Sequence, residues 1–427
     1  MLKTPLALLA ISLLCINSLL GQGGDIQIRK GMLTFAPATD RGAETPRKKR
    51  RIHRLDGSRI HHSKLDKQVQ ALVEKAKVTG FTLTIFNQHA VVYQKAFGYS
   101  NYDAKDYLTI DHVFYGASLS KSVFGYLVAQ LAQEGIIDLD RPLQDYLDVP
   151  IPELEFEKEW RGFKELTGDG RYRKITARMC LAHTTGFPNW RWISRTGEFQ
   201  PEGKLQFYFD PGTSFSYSGE GMQLLQYVLQ KITGKGLEQL AREYVFDPIG
   251  MEMTSYLWQE RFKDRTCNGH AKDQKVFKID IADEAAAAGS MSTTVVDYSN
   301  FMRRILELSR SRSPITRLMF TPNIRIRSKK QFGPGALKTT GENDTVGLSY
   351  GLGWGLLNET PYGKAAFKEG HGEGFQHYSI IFPEKGMGIL LMSNSDNAES
   401  IFKKVLEIGI GDIYTPWLWE DYIPYGE

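Results

Sequence analysis

A serine and a lysine three residues apart begin the stretch of this sequence with the clearest chemical potential. Ser118 and Lys121 stand at the start of an apolar segment that extends to Gln133. In a helix, residues three apart lie on one face about one turn from each other, so the lysine nitrogen would lie beside the serine hydroxyl. A serine hydroxyl needs a base to remove its proton, and a helix N-terminus favours negative charge. The pattern therefore predicts a nucleophile with its own base.

Residues 118–121 also have a purely structural interpretation. Ser118 could cap the helix, Lys121 could be a solvated first-turn side chain, and a pattern this short occurs by chance. The choice between the two interpretations depends on what the rest of the chain brings to the serine.

Helices and strands alternate around this stretch. Apolar residues at three- and four-residue steps predict one stripe of a helix that ends at Gly135. A helix that begins at Ser63 and a hairpin of strands over residues 81–86 and 90–97 precede it. Further helices are predicted at residues 222–232, 298–308 and 401–408, and strands at residues 350–357, 378–382 and 388–394.

The composition is that of a large globular protein. The chain has 427 residues, of which 41% are hydrophobic, enough for a sizeable core in one large domain or two intertwined ones. Its net charge of +4 is too small for the basic surface that binds nucleic acids, so we expect no nucleic-acid partner.

The N-terminal residues predict export. Residues 1–24 have one lysine, an apolar run and a small-residue end, as in a secretory signal peptide, with an uncleaved anchor as the alternative. Residues 25–62 lack periodicity and include a basic run over residues 47–54, which we interpret as a solvated linker. Association of this run with an anionic cell envelope is a second interpretation. We therefore expect a periplasmic or secreted protein.

Two cysteines, Cys180 and Cys267, follow the predicted signal peptide. Two cysteines cannot form a disulfide scaffold, and the sequence leaves open whether they pair. They stand apart from any CxxC pattern or paired histidines, so no zinc site is predicted.

Three motifs in order resemble those of a known family. The S-x-x-K at residues 118–121 is followed about a hundred residues later by Tyr217 and Ser218, and then by residues 370–374. They resemble the motifs of the serine hydrolase superfamily of class C β-lactamases, DD-peptidases and related esterases. These are S-x-x-K with the acylated serine, Y-x-N, and Lys-Thr-Gly or His-x-Gly on an edge strand beside the serine. Further segments resemble the framework of the family, namely residues 182–188, 210–217, 248–251, 350–354 and 382–394.

The resemblance covers residues 63–412 and leaves residues 413–427 as a C-terminal tail. It implies an α/β fold with a central antiparallel sheet flanked by helices and a mostly helical second lobe, with the active site between them. It also implies that no metal or organic cofactor is needed.

The resemblance also implies a division of roles. Ser118 would attack a carbonyl, with Tyr217 as a phenolate that shares the proton with Lys121. The N–H of Ser118 and one N–H of the third motif would hold the oxyanion. His371 would border the pocket with a charge that varies near neutral pH. The residues of the third motif are His371, Gly372, Glu373 and Gly374.

Two departures from the family pattern concern the substrate. Gly219 stands where β-lactamases of the family have an amide that holds the amide side chain of the substrate. Glu373 stands where a glycine is usual, which leaves open whether Glu373 or Gly374 offers the N–H to the acyl oxygen. Both weaken an antibiotic-hydrolysing interpretation more than they weaken hydrolysis itself.

We therefore predict an exported serine hydrolase that acts through an acyl-enzyme on a small ester, amide or D-amino-acid peptide. The alternatives are a class C-type β-lactamase and a non-catalytic penicillin-recognising sensor domain in which stable acylation signals to a partner. The presence of both Lys121 and Tyr217 favours an enzyme over a sensor. His183 is interpreted as a buried structural histidine.

Overall fold

The computed structural model of the chain describes residues 51–426. The predicted signal peptide and the first part of the predicted linker lie outside the described residues.

A nine-stranded sheet forms the centre of the fold. The strands of the chain are β1 (Arg51–His53), β2 (Arg59–His61), β3 (Gly80–Asn87), β4 (Ala90–Asn101), β5 (Asp106–Tyr107), β6 (Val113–Tyr115), β7 (Ser292–Thr294), β8 (Ile324–Arg325), β9 (Leu348–Tyr350), β10 (Gly355–Leu357), β11 (Ala365–Gly372), β12 (Phe375–Phe382) and β13 (Met387–Ser393). The central sheet has the order β5-β4-β3-β13-β12-β11-β10-β9-β8, and its neighbouring strands are antiparallel. Strands β1 with β2, and β6 with β7, form two small sheets of their own.

Helices cover the sheet. They are α1 (His62–Lys75), α2 (Leu119–Gln133), α3 (Ala177–Leu181), α4 (Gly219–Thr233), α5 (Leu237–Ala241), α6 (Asp247–Ile249), α7 (Val295–Arg310), α8 (Pro314–Met319), α9 (Glu399–Ile410) and α10 (Trp417–Glu420). None of these described helices combines the length and the apolar character needed to cross a membrane.

The central strands are buried on both faces. In β13, Ile389 and Leu391 pack in the hydrophobic cluster that includes α1 and α9, whereas Leu390 and Met392 pack in the cluster that includes α2, α4 and α7. Successive side chains of a strand point to opposite faces, so a strand covered on both sides is a continuous apolar run. Apart from β7, the regular elements between β6 and β8 are all helices, which confirms the predicted α/β fold with a helical second lobe.

Helix α2 is buried more completely than the predicted stripe. It begins at Leu119 with Ser118 as its N-cap, and nearly all of its residues are buried. It contacts α5, α8 and β11, so both the sheet and the helical lobe pack on it. A helix that is apolar all round is typical of such a central position.

Part of the predicted linker is folded, so its predicted end at residue 62 is wrong. Residues 51–61 form the β1–β2 pair, in which Ile52 and Ile60 face each other in register and are buried. Helix α1 begins at His62, where the Nδ1 of His61 accepts the N–H of Ser63 at 3.3 Å. Strands of three residues are too short for their periodicity to be visible in the sequence.

The predicted C-terminal tail packs on the domain as far as residue 426. Trp419 in α10 is fully buried, and its Nε1 donates a hydrogen bond to Ser328 Oγ at 3.1 Å. Tyr422 is also buried. This segment brings Glu420 to the active-site cavity.

Cys180 and Cys267 are free thiols in the core. Burial raises the pKa of both thiols. Thiolates are the reactive form of cysteine, so neither side chain is a candidate nucleophile.

Candidate active site

Ser118 begins the buried helix α2 while its own side chain is only half-buried. The residue before it, Ala117, has a φ of +46°. This left-handed conformation is uncommon for a residue with a Cβ, so the turn that presents the serine is strained. The backbone N–H of Ser118 lies at the helix N-terminus, where such groups lack an intrahelical acceptor.

Lys121 lies beside Ser118 and is enclosed by protein. Its Nζ is 3.0 Å from Ser118 Oγ and donates a hydrogen bond to the carbonyl of Ala288 at 2.6 Å. Burial, and then the charge of Lys368, lower the pKa of Lys121 well below its ordinary value. A neutral amine has a free electron pair, so Lys121 can accept the proton of Ser118.

Two neighbouring serines have structural roles instead. Ser120 Oγ donates to the carbonyl of Ala117 at 2.6 Å, and Ser122 Oγ donates to the carbonyl of Leu119 at 2.6 Å. Both hydroxyls are fully buried. Neither Ser120 nor Ser122 can meet a substrate without unfolding of the helix start.

Tyr217 reaches the serine from the loop before α4, whose N-cap is Ser218. The Nζ of Lys121 lies 4.9 Å from the centre of the Tyr217 ring. The ring of His183 packs on the ring of Tyr217, with 4.2 Å between the two ring centroids. His183 Nδ1 also accepts a hydrogen bond from the N–H of Ser218 at 3.1 Å. Burial lowers the pKa of His183 well below its ordinary value. It is thus a neutral histidine that positions Tyr217.

A second buried lysine, Lys368, completes the group and was missed in the sequence. Its Nζ donates to the Tyr217 hydroxyl at 2.8 Å, to the carbonyl of Glu369 at 3.0 Å and to Glu369 Oε1 at 2.7 Å. All three N–H donors of an ammonium are therefore used. The signal was available, because Lys368, Glu369 and Gly370 match Lys-Thr-Gly at its first and third places.

The surroundings of Tyr217 do not favour the predicted phenolate state in the free protein. Burial, and then the charge of Glu369, raise the pKa of Tyr217 well above its ordinary value, although a hydrogen bond with Ser118 acts in the opposite direction. The ammonium of Lys368 is matched by the Glu369 carboxylate, whose pKa is held below its ordinary value mainly by Lys368 against the effect of burial. Burial therefore favours the neutral amine of Lys121 over the phenolate of Tyr217 as the base of the group.

The third motif lies on an internal strand, not on the predicted edge strand. Strand β11 pairs with β12 along its length, but only residues 365–367 pair with β10. Residues 368–372 therefore have a free edge on that side. This half of β11 lies beside the start of α2 and serves the site as an edge strand would.

The register of β11 identifies its oxyanion donor. Gly372 pairs with Phe375 across a two-residue turn, so this closing pair is the hydrogen-bonded type. Successive residues of such a strand direct their backbone N–H groups alternately toward and away from the partner strand. The N–H of His371 therefore points away from β12, toward the free edge of β11. The N–H of Gly374 instead donates to Asp396 Oδ1 at 3.0 Å. The register therefore favours the N–H of His371 as the oxyanion donor over the predicted choice of Glu373 or Gly374.

Two glycines allow β11 to approach the serine. A Cβ at Gly370 would lie 3.0 Å from the carbonyl oxygen of Gly116, and a Cβ at Gly372 would lie 2.4 Å from the Tyr115 ring. Any side chain at these positions would push the strand away from the segment that leads to Ser118.

The His371 side chain borders the site and forms an ion pair with Glu399. Its side chain is 39% exposed. Burial acts to lower the pKa of His371, but the Glu399 carboxylate and the charge of Glu369 outweigh it and raise the pKa. The imidazole is therefore more often charged near neutral pH than a free histidine.

Comparison with known proteins agrees with this geometry. The model of the family described as Beta-lactamase matches residues 65–406. The chain belongs to the β-lactamase family. It is accordingly a serine hydrolase of the β-lactamase and penicillin-binding-protein superfamily.

Relatives within the β-lactamase superfamily have several different names. Penicillin-binding protein 4* of Bacillus subtilis is 24% identical over 372 residues, which cover 81% of this chain and 75% of that protein. Lovastatin esterase of Penicillium rubens is 26% identical over 208 residues, or 44% of this chain and 51% of that protein. The chain thus spans about half the length of some of the curated relatives that it matches.

Among solved structures, the octameric penicillin-binding protein homologue of Pyrococcus abyssi superposes with a TM-score of 0.65 at 19% identity. The match covers 84% of this chain and 80% of the homologue. At this identity the likeness shows the shared fold.

The amide that this β-lactamase family member lacks at Gly219 is present on another loop. The N–H of Gly219 donates to both the backbone oxygen and Oδ1 of Asn189, each at 3.1 Å. Asn189 lines the cavity in front of Ser118. A Cβ at Gly219 would lie 2.7 Å from the Asn189 carbonyl oxygen, so Gly219→Asn would displace the amide that is already there.

We expect Asn189→Leu to lower kcat/KM about tenfold for an ester with an acyl-side amide, since a buried substrate amide would lose a partner. The matched ester without the amide should change much less. Leu keeps the size of the side chain, and the Asn189 backbone oxygen still accepts the Gly219 N–H. The ratio of kcat/KM for the two esters is the measurement, with the partly exposed Asn300→Leu as control. Equal losses for both esters would remove Asn189 from substrate recognition.

The catalytic group opens into an active-site cavity of about 320 Å³. Its lining includes Trp190, Phe332, Glu369 and Glu420. The carboxyl oxygens of Glu420 are buried without a hydrogen-bond partner in residues 51–426. Burial, and then Glu369, raise the pKa of Glu420 well above its ordinary value. Within the same residues, His, Cys, Asp and Glu side chains form no group of three or more that could hold a metal ion.

Proposed function

We propose that the protein is an exported serine hydrolase that acts through an acyl-enzyme on a small ester, amide or D-amino-acid peptide. The observation that carries the proposal is the 3.0 Å contact between Ser118 Oγ and the Nζ of Lys121, a lysine whose burial favours the neutral form. Such a pair supplies both the nucleophile and the base of an acyl transfer.

In the proposed reaction, Ser118 Oγ attacks the substrate carbonyl while its proton passes to Lys121. The backbone N–H groups of Ser118 and His371 stabilise the oxyanion, at about 3 kcal/mol for each donor in comparable sites. As the intermediate collapses, the leaving group takes a proton from the Tyr217 hydroxyl, which is held by Lys368. Lys121 passes the proton it took from Ser118 to Tyr217, which restores both the neutral amine and the phenol. Water then attacks the acyl-enzyme with Lys121 again as base, the proton returns to Ser118 Oγ as it leaves, and the acid is released.

The cavity favours small neutral esters over cephalosporins. A cephalosporin carries a carboxylate next to the ring that reacts, and the charge of Lys368 that could attract this group is already matched by Glu369. Lys368 already gives its three N–H donors to Tyr217 and Glu369, so it has none left for the ligand. The similarity to lovastatin esterase supports the same preference.

Export is supported by the apolar run in residues 1–24. Expression of the full chain followed by cell fractionation and N-terminal sequencing tests it. We expect a product outside the cytoplasm that has lost these residues. An intact N-terminus in the cytoplasmic fraction would contradict export.

The substrate proposal is tested with a panel of chromogenic substrates. We expect 4-nitrophenyl acetate and butyrate to be hydrolysed with kcat/KM at least tenfold above that of a chromogenic cephalosporin, because neither ester carries a carboxylate that needs a free cation beside Ser118. A D-alanyl peptide completes the panel.

Each alternative function has its own signature in this panel. Preferential turnover of the cephalosporin would establish a β-lactamase. Stoichiometric acylation by penicillin, without turnover of any substrate in the panel, would establish the sensor domain.

A further inference from the structure

A second and larger cavity, of about 490 Å³, has a basic wall. We refer to it as the basic cavity. The cationic side chains that line it are Arg195, Arg325, Arg327 and Lys338. Hydroxyl groups of Thr213, Ser214, Ser328 and Thr339 also belong to its lining. Such a wall offers both positive charge and hydrogen-bond donors to a ligand.

Most of this positive charge lacks a partner. Arg325 pairs with Asp344 at 2.8 Å, but the other three cations form no ion pair within residues 51–426. The Nε atoms of Arg195 and Arg325 are buried without an acceptor in the same part of the chain. Buried donors without partners are unfavourable, and an anion in the cavity would satisfy these two Nε atoms while the exposed Arg327 and Lys338 add positive charge.

Backbone hydrogen bonds and an aromatic contact fix the chain around three of these cations. Arg327 and Lys338 stand on the two arms of one loop, which is closed by hydrogen bonds from Thr340 N–H to the Arg327 carbonyl at 2.8 Å and from Lys329 N–H to the Lys338 carbonyl at 2.7 Å. The guanidinium of Arg195 lies over an aromatic ring, 5.5 Å from the centre of Tyr208. The loop thus fixes the backbone positions from which the exposed side chains of Arg327 and Lys338 extend, and the ring of Tyr208 supports the guanidinium of Arg195.

A small cavity links the basic cavity to the catalytic serine. It has a volume of about 190 Å³ and shares Arg195 and Ala336 with the basic cavity. It also shares Tyr217 and Phe332 with the active-site cavity that contains Ser118. The three spaces thus adjoin in a row, from the nucleophile to the four cations.

We propose that the basic cavity binds an anionic group, a carboxylate or a phosphate, at the far end of the substrate whose scissile carbonyl lies at Ser118. This inference rests on the proposed function and adds a substrate class to it. Beside Ser118 the charge of Lys368 is already matched by Glu369, so a carboxylate at the scissile bond finds no free cation in Lys368, whereas the basic cavity offers unpaired cations at a distance. The substrate is therefore an extended acyl compound with a neutral reactive end and an anionic remote end.

The experiment uses 4-nitrophenyl monoesters of dicarboxylic acids of increasing chain length. Each is paired with an ester of equal length that ends in a carboxamide. For the wild-type protein, we expect the carboxylate to raise kcat/KM about tenfold over the carboxamide once the chain is long enough to reach the cavity, as for a charge-assisted hydrogen bond. The gain should fall as salt is added.

Two variants of the basic wall and one control locate the effect. Arg327→Gln and Lys338→Gln should each reduce the carboxylate gain several-fold, whereas Arg304→Gln, at an exposed position of α7, should retain it. Every rate is divided by the rate of the same variant on 4-nitrophenyl acetate, so that a general change in activity or folding cancels.

Three results would overturn the proposal. The first is that the carboxylate raises kcat/KM at no chain length. The second is that this gain persists in both Arg327→Gln and Lys338→Gln, and the third is that Arg304→Gln loses the gain as fully as they do.

Calorimetry with inorganic phosphate provides a readout that does not need turnover. Suppose that phosphate binds, that Arg327→Gln and Lys338→Gln abolish this binding, and that no ester shows a carboxylate gain. The basic cavity would then be a site for a free anion and not a subsite for the substrate. If no ester is hydrolysed, the proposed function itself fails, and absence of phosphate binding would then reject the basic cavity as an anion site too.

Discussion

Ser118→Ala should reduce ester hydrolysis by about 10⁵-fold or more, the scale on which loss of a catalytic nucleophile acts in serine hydrolases. The physical reason is that Ser118 is the hydroxyl that combines access to the cavity with a neutral amine 3.0 Å away. The measurement is kcat/KM on 4-nitrophenyl acetate at neutral pH.

Ser120→Ala is the matched control for this change. Its hydroxyl bonds to the Ala117 carbonyl and accepts the N–H of Met291 at 3.2 Å, so its loss should cost stability but leave the nucleophile in place. We expect a lower melting temperature and residual activity far above that of Ser118→Ala. Equal inactivation of the two variants, with Ser120→Ala still folded, would contradict the assignment of the nucleophile.

Lys121→Met should lower kcat/KM by about 10²- to 10⁴-fold, the contribution expected of a general base. In the wild-type protein, kcat/KM should rise with pH as Lys121 loses its proton, because only the neutral amine accepts the proton of Ser118. Burial lowers the pKa of Lys121, so this rise should be complete well below the ordinary lysine pKa. The rise should be absent in Lys121→Met.

Tyr217→Phe tests whether the two groups handle protons as one unit. It keeps the ring that packs on His183 and removes the hydroxyl that Lys368 contacts. Since one proton must pass from Ser118 through Lys121 to Tyr217 for each proton that the leaving group takes, loss of either residue breaks the same chain, and the double variant should be little slower than Lys121→Met alone. Multiplicative losses in the double variant, with melting curves like those of the wild type, would show that the two residues act independently.

The sequence was most informative where the chemistry is local. Ser118 and Lys121 are one helical turn apart, so their contact follows from helix geometry alone. The fold class was also predictable, because the long strands β3, β12 and β13 and the long helices carry clear apolar patterns. The full burial of α2 was not, because a stripe in the sequence does not reveal what packs on the other sides.

The sequence was least informative where tertiary packing brings distant residues together. Asn189 replaces the amide missing at Gly219, and no spacing rule connects these two loops. Glu420 reaches the cavity because Trp419 anchors a short helix that was predicted to be a tail. Lys368 was visible as part of a Lys-x-Gly pattern, but His371 three residues later also matched a known form of the motif.

The central claim is that Ser118 becomes acylated. The most direct test is to treat the full-length protein with a fluorophosphonate probe, digest it and locate the label by mass spectrometry. The account predicts one label per chain, on the peptide that contains Ser118, formed faster as pH rises and absent in Ser118→Ala. Label on any other residue of the wild-type protein, or wild-type labelling of Ser118→Ala, would contradict it.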